Sequence, residues 1–151
     1  MPQRFPATST RHMLALASKP DQKEFQQLLE IDHRIQNLLM KFNLGVDASF
    51  SEGGMAGLKE FTTPAGFARM QEKYAGWSSQ GVKALQLVSC HFLSFDLHSN
   101  EEQAQAFTFE KWVFVYADGR EVHTQGSVDG YDLHLVNGEW LVDSVQFYPP
   151  E

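Results

Sequence analysis

Of the 151 residues only one, Cys90, is a cysteine, so no intramolecular disulfide can form. It sits in an apolar, strand-like stretch and reads as a small buried hydrophobe. Its neighbour His91 falls on the opposite face of a strand and cannot act as its base. The lack of disulfides fits a reducing, cytoplasmic setting. Basic residues are also scarce. Lys and Arg total 12 against 19 Asp and Glu, for a net charge of −7. That balance, with no Lys/Arg run, speaks against binding nucleic acid or an anionic membrane. No segment approaches the roughly 20 apolar residues of a membrane span. The apolar run at residues 13–17 is too short for a signal peptide core. The histidines, His12, His33, His91, His98, His123 and His134, show neither helical i, i+4 pairing nor two-residue strand spacing. No metal site is therefore expected. The glycines around Gly53, Gly54 and Gly57 are not followed by Gly-Lys-Ser/Thr, which excludes a phosphate loop. No cofactor is expected.

What is present is mostly β-strand. Residues 82–97 form a first apolar strand, and a turn follows at residues 99–102. Residues 103–117, 120–136 and 139–148 read as three more long strands. Asp118-Gly119 and Asn137-Gly138 join them, both favoured for two-residue type I′ turns. Such turns pair Ala117 with Arg120 and Val136 with Glu139. Upstream, Phe25, Leu28, Leu29, Ile31, Ile35, Leu38, Leu39 and Phe42 recur at three- and four-residue steps. That spacing predicts an amphipathic helix over residues 21–43, capped by Asp21 and ended by Gly45. A loop is expected at residues 46–55 and a short helix at 55–61. A third helix is expected over residues 64–77, with a threonine cap and Pro64 in its first turn. Residues 1–20 read as a loosely held arm, with a short helix near residues 11–18. Residues 21–151 read as one domain. Helices followed by a four-stranded antiparallel sheet define an α+β fold.

Turn geometry sets register, and register sets which side chains share a face. In an unbulged sheet one face carries Glu110, Trp112, Phe114, Tyr116, His123, Gln125, Ser127, Asp129, Tyr131 and Leu133. The last strand adds Trp140, Val142, Ser144, Gln146 and Tyr148 to it. The other face carries Phe107, Phe109, Val113, Val115, Val122, Val128, Val145 and Phe147. Neither is a plain solvent face. Three helices cover only one side, so the other is expected to pair with a second copy of the chain as a homodimer. The same register sets Asp143 opposite Asp132, a like-charge pair that a bulge would relieve.

Helices first, then a long curved antiparallel sheet, resembles the nuclear transport factor 2-like superfamily, a cystatin-like cone. The closing hairpin adds to the resemblance: Tyr131-Asp132-Leu133, then Asn137-Gly138-Glu139-Trp140-Leu141-Val142. The group includes ketosteroid isomerase and scytalone dehydratase relatives, polyketide cyclase-like (SnoaL-like) proteins and many non-catalytic domains. The resemblance implies a cone of three helices on a strongly curved sheet. In the superfamily's enzymes, it implies a carboxylate with tyrosines or histidines inside the cone.

Two functions follow. The first is a non-catalytic binding or assembly module, with a protein partner or a small apolar ligand. The second is a small-molecule enzyme or carrier. It would use Glu110 as acid–base group and Tyr131 as polariser, with Asp129 and His123 as further candidate catalytic groups. Trp112, Phe114, Tyr131 and Trp140 are the candidate ligand walls.

Overall fold

The computed structural model describes residues 22–148. The arm expected over residues 1–20 and the Asp21 cap lie outside the described residues. The element order is α1 (Gln22–Glu52), a 3-10 helix (Ala56–Phe61), α2 (Pro64–Ser79), β1 (Val82–Leu97), β2 (Gln103–Tyr116), β3 (Glu121–His123), β4 (Ser127–Val136) and β5 (Glu139–Tyr148). The sheet is antiparallel in the order β1-β2-β4-β5, with the short β3 beside β2. This is the expected α+β arrangement, with the third predicted strand split into β3 and β4. Among the described residues, no helix is long and apolar enough to cross a membrane.

α1 does not stop at Gly45, and no loop begins at Val46. The buried face Leu28, Ile35, Leu38, Leu39, Phe42 continues through Asn43, Val46 and Ser49. Gly45 serves packing instead: a Cβ there would lie 2.5 Å from Leu58 Cδ2. Its absence lets the 3-10 helix close on α1. The helix ends at Gly53, whose φ of +80° suits glycine. Gly54 N then donates to Ser49 O at 2.8 Å. α2 starts as expected, with Thr63 Oγ1 accepting from Gly66 N at 3.0 Å.

Three register differences set the faces. The Asp118-Gly119 turn has a three-residue loop: Tyr116, rather than Ala117, bonds to Arg120 (N to O, 2.9 Å). This pairs His123 with Val113 and moves Gln125 out of the expected sequence. A bulge at Gln125-Gly126 then takes up one residue and restores the expected Glu110–Ser127 pair. Only glycine fits there: φ is +107°, and a Cβ would enter the Phe109 ring. The second difference lies in β5. Val136–Glu139 through Leu133–Val142 pair as expected, and Asp143 is then bulged out. Asp132 meets Ser144, whose Oγ donates to Asp132 Oδ2 at 2.7 Å. The like-charge pair is removed. Val145 moves to the Glu110 face in place of Ser144 and Gln146. Third, β1 shifts register three times, between Val82/Ala84, Leu87/Ser89 and Phe92/Ser94, and each bulge bends this edge strand.

The helices cover the concave face, where Leu85, Phe95, Ala104, Ala106, Leu133, Trp140 and Val142 join α1 residues in one core. The released Asp143 ties α2 to β5. Its Oδ1 accepts from Thr63 Oγ1 at 2.7 Å, and its carbonyl oxygen accepts from Arg69 at 2.6 Å. Gly66 lies against the Val142 carbonyl, where a Cβ would collide. Gly76, in the same helix, has open space around its Cβ position. Gly66→Ala is therefore expected to destabilise by about 2 kcal/mol or more. Gly76→Ala should stabilise by about 0.5–1 kcal/mol. Urea unfolding of the two variants checks both signs.

Candidate functional site

The strand period of two places Thr108, Glu110 and Trp112 side by side on the concave face of β2. Beside them lie Cys90 on β1 and Ser127 on β4, both paired with Glu110. Glu110 is 1% exposed. Its Oε2 accepts from Thr108 Oγ1 at 2.6 Å and from the Tyr131 hydroxyl in a short contact, with Asn43 Nδ2 at 3.4 Å. Its Oε1 accepts from Trp112 Nε1 at 2.9 Å. Asn43 comes from the buried face of α1 and also donates to Tyr131 Oη at 2.9 Å and Leu39 O at 3.0 Å.

Asp129 follows Ser127 on the same face and is 7% exposed. Ser127 Oγ donates to its Oδ1 at 3.2 Å. Burial, then the neighbouring Glu110 charge and a hydrogen bond to Glu110, pushes its pKa up to about 8. The Lys73 charge acts weakly the other way. Burial first, then Glu110 and Asp129, holds the Tyr131 hydroxyl well above its ordinary value. The same causes raise the Cys90 thiol to about 12, which leaves it an inert, half-buried side chain at neutral pH.

Above these groups lies a cavity of about 100 Å³. Its apolar walls include Phe42, Met70, Trp77, Leu85, Phe114 and Val145, and Asn43, Glu110, Asp129 and Tyr131 supply polar groups. Val46, Trp112, Lys73 and Thr124 complete the lining. The volume is several times the ~30 Å³ share of one water. It is below the ~300–1,000 Å³ usual for a drug-sized ligand. Among the described residues, no group of three or more His, Cys, Asp or Glu side chains is placed to hold a metal.

The sequence-derived candidates thus separate. Glu110, Asp129, Tyr131, Trp112 and Phe114 meet at one cavity. His123 does not: the turn and bulge put it on the other face, with its side chain 65% exposed and 3.2 Å from Glu121. Trp140 is buried in the core away from this cavity and instead borders a surface groove beside Arg34 and Glu60. Asn43 and Thr108 were not among the candidates. Their signals were a polar residue inside the apolar stripe of α1 and a threonine alternating with Glu110.

Among solved structures, the intermembrane-space region of the chloroplast protein ARC6 superposes with a TM-score of 0.63 at 10% identity. It covers 77% of this chain and 95% of that one. A function-unknown Mycobacterium tuberculosis protein, Rv3472, superposes at 0.54 and 16% identity, covering 83% and 75%. The chain has the nuclear transport factor 2-like fold. At such identities the likeness concerns the fold alone. No protein-family model matches the sequence, and no curated protein does.

The raised pKa of Asp129 has a consequence for stability. Its folded value, about 8, exceeds the ordinary 3.8. The folded state therefore holds a proton that the unfolded chain releases across this window. Stability linked to Asp129 is full at the acid end and is lost as pH rises through about 8. Asp129→Asn keeps the shape of the neutral acid and cannot titrate. Melting temperatures across that window should show the wild type falling steadily relative to the variant. Parallel curves would refute the shift.

Proposed function

We propose that this domain is a binding module and not a catalyst, and that its concave cavity receives one end of a small, largely apolar molecule. The observation that carries this reading is the saturation of Glu110. Donors from α1, β2 and β4 converge on its carboxylate. A general base needs a free lone pair aimed at substrate. Here the oxygen nearest Tyr131 is committed to three protein donors. The catalytic alternative asks Tyr131 to polarise a substrate oxygen, yet its proton is directed at Glu110. The cavity's apolar walls support binding by desolvation. A reducing, cytoplasmic setting suits the buried thiol.

A second element of the reading is self-association. The outer sheet face carries the half-buried Phe109, Val115 and Val128 on the side away from the helix-packed core. Exposed His91, Lys111 and Gln146 surround them, an apolar centre with a polar rim. A second copy packed sheet to sheet would cover that centre.

Two experiments test these elements. Small apolar probes should shift the indole N–H resonances of Trp77 and Trp112 in the labelled protein. Val145→Phe, which fills the cavity from β5, should abolish those shifts with little change in melting temperature. Shifts that persist in the variant would place binding elsewhere. For association, light scattering should give twice the chain mass for the wild type and a monomer for Val128→Lys. A monomeric wild type would remove the dimer.

A further inference from the structure

The floor of the concave cavity suits only an apolar end of a molecule. Glu110 already takes donors from Asn43, Thr108, Trp112 and Tyr131. Asp129 is hydrogen-bonded to Glu110 and to Ser127. Its pKa, raised to about 8, leaves it uncharged at neutral pH. The pair then holds one negative charge, and protein donors already meet it. A polar ligand group at this floor would lose its water and gain no partner, which is costly. The walls beside it are apolar and aromatic.

A second space adjoins the first. A groove of about 360 Å³ lies between α2 and β5. Met70, Lys73 and Val145 line both the groove and the cavity. A chain that leaves the cavity past these three side chains enters the groove. Together the two spaces reach the ~300–1,000 Å³ of usual ligand sites, which the cavity alone does not. Of the three shared residues, Lys73 is the charged one. Its ammonium is near enough to act on Asp129. No ion pair joins it to an acid among the described residues. Arg69 lies one turn earlier on the same face of α2 and also lines the groove. Among the described residues only its Nη1 is engaged, by Asp143. The rest of its donor fork can serve another acceptor. Glu72 lines the groove as well, but not the cavity, and the two cations outnumber it.

We propose that cavity and groove form one site for a short aliphatic monocarboxylate. Its tail fills the cavity against Trp77, Trp112 and Phe114, and its carboxylate lies in the groove at Lys73 and Arg69. The proposal rests on the small-molecule reading above. Charge fixes the orientation. The reverse pose would set the carboxylate beside buried Glu110, a like charge in a poorly solvated place. A cationic head would meet Lys73 and Arg69 instead.

The test is a titration of the labelled full chain at neutral pH with pentanoate, 1-pentanol and n-pentylamine, read at the Trp77 and Trp112 indole N–H signals. Pentanoate should bind about five-fold tighter than the alcohol, the worth of a partly exposed ion pair, and high salt should shrink that margin. The amine should bind weakest. Shortening the acid to propionate should cost about four-fold per methylene removed, because the tail is the buried part. Lys73 is exposed on α2, so its substitution is not expected to disturb the fold. Lys73→Gln should bring pentanoate down to the affinity of the alcohol, whereas Lys73→Arg should preserve the margin. Equal affinity of acid and alcohol, tightest binding of the amine, affinity indifferent to tail length, or an unchanged margin in Lys73→Gln would each overturn the carboxylate assignment and leave the small-molecule reading standing. If none of the three probes binds, the small-molecule reading itself falls and the proposal with it.

Discussion

Glu110 is a carboxylate at 1% exposure inside an apolar interior, and a large part of the chain is arranged around it. Its partners come from three elements: Asn43 from α1, Thr108 and Trp112 from β2, and Tyr131 from β4. Removing one partner of a buried charge costs several kcal/mol, so these positions are coupled. α1 must lie where Asn43 reaches the sheet, and the β2–β4 register must bring Tyr131 to Glu110. Tyr131 also packs edge-on against Phe42, with ring centroids 5.9 Å apart. One polar centre thus sets the docking of helix on sheet, which apolar packing alone leaves free to slide.

The register that serves this centre depends on irregularities. A three-residue turn moves β3 by one position, and the bulge at Gly126 moves β4 back. Without the second, Ser127, Asp129 and Tyr131 would face away from the helices. The Asp143 bulge acts similarly at the other hairpin. It brings Val145 into the cavity wall and frees Asp143 to hold Thr63 and Arg69. A bulge that turns a carboxylate from a like-charged neighbour toward a helix N-terminus also gains from the helix dipole.

The same architecture occurs in the ARC6 intermembrane-space region and in Rv3472, at 10% and 16% identity. Such distances preserve a backbone and replace nearly every side chain, so chemistry must be argued from this chain's own cavity. That cavity is small, apolar at its walls and floored by the hydrogen-bonded cluster around Glu110.

Local signals were strong for several elements. The strand-rich runs Val82–Leu97 and Glu139–Tyr148, the Asn137-Gly138 turn and the Thr63-Pro64 start all report short-range stereochemistry, and each stands where the sequence puts it. The meeting of Glu110 with Asp129 and Tyr131 was also legible, because two one-residue shifts cancel between β2 and β4. The continuation of α1 past Gly45 was not legible, because the reason is a distant contact with Leu58. The displacement of His123, the seat of Trp140 outside the cavity and the role of Asn43 were hidden for the same reason. Turn preference and hydrophobic period are properties of neighbouring residues, so the sequence alone determined the elements, their order and the polar face. Bulges, helix docking and hydrogen-bond saturation depend on residues far apart in the chain, and only the tertiary structure decided that Glu110 is held by protein donors.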